Sequence, residues 1–359
     1  MPPGGERRLT TSPEITRRPP DRPARIAAFL ERAGWGEARR WALAGDASVR
    51  RYERLSAPDG RRAVLMDADP ATGQDVGAFA RVARHLAQAG LAPPAILAAD
   101  HDAGLLLLED LGDALFARVV EDAPESEMRL YSAAIDALAV LHAEPVPDWA
   151  EPYGVRRMTE NALLAYDWYA AGAGHAVDPV ARADADGLLH AHIAALDETP
   201  PVLCLRDFHA ENLIWVPERP GPLSVGLLDF QDARTCHPAY DLTSLLRDAR
   251  RDVPAPVRDA MTARYLAATG RDSDRFAKDA AVCVAERNLR ILGVFARLSL
   301  HYGKPHYVDL MPRVWDHMVA GLAHPDLAAL RDRVLADLPA PAPDHLAILK
   351  DRCGTVPTP

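Results

Sequence analysis

Three oxygen-bearing side chains stand within one stretch, Leu203 to Asp241, LCLRDFHAENLIWVPERPGPLSVGLLDFQDARTCHPAYD: Asp207, Asn212 and Asp229. Four residues separate Asp207 from Asn212, and Asp229 follows a short apolar run, Val225 to Leu228. One carboxylate at an attacking hydroxyl, with an amide oxygen and a second carboxylate as hard ligands for Mg²⁺, is the set that phosphoryl transfer needs. The stretch reads as strand, polar loop, strand, Pro/Gly turn and third strand. A loop between paired strands can present all three groups to one cleft. Read as plain structure, Asp207 and Asn212 would be turn formers and Asp229 a strand-end cap. Arg206 before the first Asp, and Asp229-Phe230 after the later strand, favour the chemical reading.

The rest of the chain supplies elements to hold such a loop. Residues 1–23 mix Pro, Gly, Arg and Thr without periodicity and are expected to form a disordered leader. A helix is expected from Ala24 to just before Gly34. Trp41 to Asp67 reads as three short strands, broken at Gly45-Asp46 and turning at Pro58-Asp59-Gly60. Helical spacing of Val76, Phe79, Val82 and Leu86 follows within Gln74 to Gln88, and Gly90 ends it. Ile96–Ala99 and Leu105–Leu108 then form a strand pair. Beyond this point helices dominate: Met128–His142, Thr159–Ala173, Leu242–Arg250, Ala255–Ala268, Ala277–Leu300, Val308–Ala323 and Leu327–Leu338, with a Pro/Ala break at Pro339–Pro343 and a frayed end. The fold class expected is α+β in two lobes, a small antiparallel-sheet lobe over residues 24–110 and a mostly helical lobe over 111–359, with the ligand at their interface.

Composition narrows the partners. A hydrophobic content of 48% over 359 residues suffices for a buried core, and a net charge of −10 argues against a nucleic-acid partner. The four cysteines, Cys204, Cys236, Cys283 and Cys353, show no C-x-x-C pairing and read as reduced thiols of a cytoplasmic protein. No run of 18 apolar residues suggests a membrane span, and the N-terminus lacks the apolar core of a signal peptide.

RDFHAEN has the D-x-H-x-x-N form of the aminoglycoside and choline phosphotransferases, which share the protein-kinase fold. DFQDA, YDLTSLLRDAR, GDASVRRY (45–52), LLLLEDLGD (105–113) and ILGVFARLSLHYGKPHY (291–307) resemble, more narrowly, the bacterial anomeric N-acetylmuramate/N-acetylglucosamine kinases of cell-wall recycling. The resemblance implies ATP and Mg²⁺ as cofactors, an amino sugar as acceptor, a monomer, and a functional link to a sugar-1-phosphate nucleotidyltransferase. It implies Asp207 as catalytic base, Asn212 and Asp229 as metal ligands, and His209 and Asp241 as supports of the loop. Asp232 is near enough in sequence to reach metal or sugar, or to be a surface turn. Glu109 to Gly112, with Leu111 inside it, would be the hinge whose backbone meets adenine. Asp241, read without the resemblance, is a helix N-cap.

Three departures from the kinase pattern stand out. Leu205 occupies the position of a supporting His, Met66 replaces the phosphate-binding Lys of the third strand, and the following helix lacks the partner Glu. Arg50 and Arg51 are the nearest replacement cations, and Ser48, Arg50 and Tyr52 share one face of an extended segment. On the acceptor side, Tyr166, Trp168 and Tyr169 are either a sugar platform or core. Arg287, Arg290 and Arg297 share a helix face that either receives a carboxylate or is simply solvated. A kinase for another small alcohol, and a nucleotide-binding pseudokinase suggested by Met66, are the rival readings.

Overall fold

The computed structural model describes residues 21–43 and 50–357, which divide into two units. Residues 1–20, most of the expected leader, lie outside the described residues, as do Gly45, Asp46 and Ser48.

The smaller unit comprises the described residues up to Val76 together with Ile96–Glu109. It opens with α1 (Arg22–Arg32). The Asp21 carboxylate accepts from the Ala24 N–H at 3.1 Å, and Pro23 sits in the first turn, where a missing N–H leaves no bond unmade. The helix therefore begins two residues before Ala24. Five strands, β1 (Arg39–Ala42), β2 (Arg51–Ser56), β3 (Arg62–Asp67), β4 (Ile96–Asp100) and β5 (Leu105–Glu109), form an antiparallel sheet in the order β1-β2-β3-β5-β4. Alternate residues Leu55, Leu65 and Leu107 turn to α1 and pack with its Ile26, Phe29 and Leu30. Gly104, at φ 65°, closes the β4–β5 turn; a Cβ there would lie 2.1 Å from the Ala68 carbonyl, so only glycine fits. Met66 is buried mid-sheet, opposite Tyr52 on β2 and Leu106 on β5.

The larger unit takes in Gly77–Ala95 and everything after Glu109. It holds α2 (Val76–Gln88) beyond its first residue, α3 (Phe116–Asp122), α4 (Glu127–Ala143), α5 (Val155–Ala162) and α6 (Pro179–Ala194). Two short antiparallel pairs follow: β6 (Val202–Cys204) with β9 (Arg234–Cys236), and β7 (Leu213–Trp215) with β8 (Val225–Leu227). The rest is α7 (Ala239–Leu246), α8 (Ala255–Thr269), α9 (Ser273–Leu300), α10 (Met311–Leu322), α11 (Ala328–Asp337) and α12 (Pro343–Asp351).

Several helical expectations change, and the helix expected at Leu242–Arg250 is α7, starting at Ala239 and ending at Leu246. Thr159–Ala173 is not one helix: α5 stops at Ala162 and a wider π-turn segment covers Ala165–Ala170. The α9 helix presses on that break, since a Cβ on Gly293 would lie 2.2 Å from the Leu164 carbonyl carbon. The segment's aromatics are core, with Tyr166 and Tyr169 fully buried and their hydroxyls donated to Asp337 and to the Pro339 carbonyl. Val308–Ala323 becomes a 3₁₀ turn followed by α10, because Pro312 fits only the first turn of an α-helix. The C-terminal end is ordered as α12: Leu349 is buried, its carbonyl accepts from Ser299, and the Val356 N–H donates to the Leu300 carbonyl.

Candidate active site

The β6 strand delivers the chain to Leu205-Arg206-Asp207, and the buried carboxylate of Asp241, in the first turn of α7, fixes that bend. It accepts from the Leu205 N–H at 2.5 Å and the Arg206 N–H at 2.8 Å. Ser244, one turn further along α7, donates to the Arg206 carbonyl at 3.2 Å and accepts from Arg287 of α9 at 2.7 Å. Arg206 is held at φ 71°, a left-handed conformation that costs a non-glycine residue energy and persists only where its surroundings impose it. Asp241 thus spends both oxygens on the loop, and Pro238 stands at the N-cap of α7. Burial pushes the Asp241 carboxyl up to about 7, against the two backbone N–H bonds, which favour its charge. Asp241→Ala strands one buried and one half-buried N–H; each such loss costs ~1–3 kcal/mol. A lower urea midpoint together with a lower kcat is expected, and an unchanged midpoint would remove Asp241 as the anchor.

The second half of the site hangs on the β7–β8 pair. Leu213 opposes Leu227, and the Leu228 N–H donates to the Asn212 carbonyl at 2.9 Å, so Asn212 lies beside the residue preceding Asp229. The Asn212 amide N–H donates to the Asp207 carbonyl at 2.8 Å, which leaves its Oδ1 oriented away from that bond. Asp229 is the other described non-glycine residue at positive φ, 54°. Its Oδ1 accepts from Gln231 Nε2 at 2.8 Å, and the same nitrogen lies 3.4 Å from the exposed Asp232 carboxylate. Phe230 is buried with its ring 4.7 Å from Phe79 of α2. A carboxylate and an amide oxygen brought together by backbone pairing are hard donors of the kind Mg²⁺ takes. They fit a divalent ion bound with nucleotide phosphates, which it would polarise when bound.

Around Asp207 the field is positive. Burial raises its carboxyl pKa, but the positive neighbours, Arg290 first and Arg287 and Arg206 among them, outweigh this and hold it below its ordinary value. Arg287 is buried on α9, and Arg290, one turn on, is half-buried; the solvated-face reading of these two arginines is therefore overturned. His209 is buried and pushed down to about 4, so its ring is neutral near pH 7. Its Nε2 lies 3.4 Å from Asn212 Nδ2, a contact that supports the loop.

The remaining candidates lie elsewhere. In the smaller unit, Arg50 Nε donates to Gln74 at 2.8 Å, Arg51 starts β2 with an exposed side chain, and Glu109 ends β5 half-buried. In the larger unit, Leu111 packs so close to Gly226 that a Cβ there would lie 2.8 Å from it. Four neighbours of the loop were not foreseen. Tyr153 lies under the Arg206 guanidinium, 4.7 Å from its ring centre; Tyr240 stands edge-on to Tyr153 at 5.6 Å; Glu286 and Ser244 complete the group. A signal for Glu286 existed: Glu286, Arg287 and Arg290 are charges set, with Asn288, in an otherwise apolar run from Val282 to Phe295, and buried charges must be paired or functional.

With this geometry in hand, comparison with known proteins is direct. The sequence profile of the phosphotransferase enzyme family matches residues 41–277. An N-acetylmuramate/N-acetylglucosamine kinase of Caulobacter vibrioides is 40% identical over 87% of this chain and 95% of its own length. A Pseudomonas aeruginosa protein of the same name is 33% identical over 85% and 91%. Among solved structures, a choline/ethanolamine kinase family protein from Mesorhizobium loti superposes with a TM-score of 0.59 at 16% identity, covering 92% of this chain and all of that one, which bears on the fold alone. The α+β kinase-like fold, ATP as donor and a divalent metal follow from the family. The chain is a member of the phosphotransferase enzyme family and, within it, of the N-acetylmuramate/N-acetylglucosamine kinases.

Proposed function

We propose that this chain transfers the γ-phosphoryl group of ATP to the anomeric hydroxyl of N-acetylmuramate and N-acetylglucosamine, with Mg²⁺ as the metal. The observation that carries the reading is the positive field of Arg206, Arg287 and Arg290 around the carboxylate of Asp207, in a chain 40% identical to a kinase of that name. A site of that charge suits neutral and anionic acceptors and disfavours the cationic aminoglycosides and choline. Asp207 orients the acceptor hydroxyl and takes its proton as the oxygen–phosphorus bond forms and ADP leaves. Asn212 and Asp229 hold Mg²⁺; His209 and Asp241 keep the loop in place.

Residues 24–110 act as the nucleotide-binding lobe, with the backbone of Glu109 and Leu111 at adenine, and 111–359 as the catalytic and substrate lobe. The enzyme works as a cytoplasmic monomer in peptidoglycan recycling. An anomeric phosphate is the substrate class of a nucleotidyltransferase, which would consume the product. No helix among the described residues is long and apolar enough to cross a membrane. The test is ADP release from ATP with a panel of amino sugars, choline and an aminoglycoside. Turnover with the N-acetylated sugars is expected, and turnover with the cations alone would overturn the reading.

Arg50 is assigned to the ATP phosphates in place of the lysine that Met66 displaces, with Arg51 second. Arg50→Ala is expected to raise the KM for ATP or lower kcat by an order of magnitude, on the scale of one lost charge-assisted contact, ~1.5–3 kcal/mol. Arg51→Ala should do less, and Met66→Lys should not rescue Arg50→Ala, since no Glu in α2 orients the new ammonium. Steady-state kinetics at fixed sugar and Mg²⁺ check this; two silent arginine variants would contradict it.

A further inference from the structure

Around the arginines that face Asp207, several side chains carry buried polar atoms that have no hydrogen-bond partner among the described residues, among them Glu286 Oε2, Tyr240 OH, Arg206 Nε, Arg287 Nε and Nη1, and Arg290 Nε. Buried polar atoms are ordinarily paired with protein or ordered water, so this group holds hydrogen-bonding capacity that a polar ligand can take up. The set is of mixed sign. The arginines and the tyrosine can donate, whereas Glu286 Oε2 only accepts when ionised. Glu286 is fully buried on α9. Its other oxygen accepts from the Tyr153 hydroxyl at 3.4 Å, and Tyr153 in turn accepts from the Asn161 amide of α5 at 2.7 Å. This chain of bonds fixes the carboxylate and leaves Oε2 for something else. Arg290 and Arg287 of its own helix and Arg206 of the catalytic loop share their field between Glu286 and Asp207.

A quaternary ammonium offers Glu286 no hydrogen, and any cation meets three guanidiniums. A hydroxylated neutral or anionic acceptor offers donors and acceptors to both kinds of group. We propose that Glu286 is a specificity-determining residue that accepts a hydrogen bond from a ring hydroxyl of the acceptor sugar, while the arginines bind its oxygens. This rests on the amino-sugar kinase reading above.

The experiment uses Glu286→Gln, which keeps the volume and removes one acceptor and the charge. It also uses Tyr153→Phe, which removes only the hydroxyl that fixes the carboxylate. Each is assayed with N-acetylglucosamine, its 3-, 4- and 6-deoxy analogues, and ATP, and sugar affinity with ADP present is measured by calorimetry. The Gln variant is expected to raise the sugar KM and Kd tenfold or more while the KM for ATP stays within twofold. One deoxy analogue, poor for wild type, should be handled alike by wild type and variant. Tyr153→Phe should weaken sugar binding by a smaller factor. Unchanged sugar affinity and an unchanged analogue pattern in Glu286→Gln would overturn the assignment. So would an unchanged sugar KM in Tyr153→Phe, should the Gln variant not fold. A wild-type chain that binds the sugars without phosphorylating them would sink the kinase reading and leave Glu286 judged by Kd; one that binds no sugar would sink both.

Discussion

Asp207→Asn is expected to lower kcat by ~10²–10⁴-fold, the usual contribution of a positioned general base, while the fold and ATP affinity are kept. The substitution is nearly isosteric, and the bonds that shape the loop are made by other groups: the Asp241 carboxylate, Ser244, and the backbone carbonyl of Asp207 itself. The loss should therefore appear in turnover rather than in the urea midpoint. The arginines around the site hold Asp207 ionised well below neutral pH, so the activity of the unmodified chain should not fall through titration of this group near pH 7. Wild-type turnover in the Asn variant would remove Asp207 as the base.

Asp229→Asn is expected to cost about 10²-fold or more in kcat, on the scale of losing one preorganised electrostatic contact to the transition state, and to raise the Mg²⁺ needed for half-maximal rate. Asparagine is the informative substitution because Asp229 sits at φ 54°, which Asn tolerates and Ala does not. An alanine variant would mix backbone strain with the lost ligand. Rates measured across a Mg²⁺ titration distinguish the outcomes. A variant with the normal rate and normal Mg²⁺ dependence would make Asp229 a structural strand end.

The spacing of Asp207, Asn212 and Asp229 was readable in the sequence because β7 and β8 are short and joined by a nearby turn. Local pairing there places Asn212 next to Leu228 without help from distant parts of the chain. The five-strand sheet was readable for a similar reason: turn residues such as Pro58 to Gly60, and glycine at 104, sit where the backbone needs them. What escaped depends on contacts between residues far apart in sequence. Arg287 and Arg290 have the spacing of an exposed basic stripe, and only the packing of α9 against α7 and the catalytic loop turns them inward. Glu286 and Tyr153 are more than a hundred residues apart, and nothing in either local sequence announces the other. The Thr159–Ala173 segment kept a helical pattern in sequence, yet the close approach of Gly293 belongs to α9, and that contact accompanies the break.

The central claim is that phosphate arrives on the anomeric oxygen of an N-acetylated amino sugar. The most direct measurement is phosphorus NMR of the product formed from ATP and N-acetylglucosamine by the full chain. The phosphorus is expected to couple to the anomeric proton, and mild acid should release inorganic phosphate, as for a glycosyl phosphate. Coupling instead to the two methylene protons at carbon 6, with an acid-stable phosphate, would contradict the account.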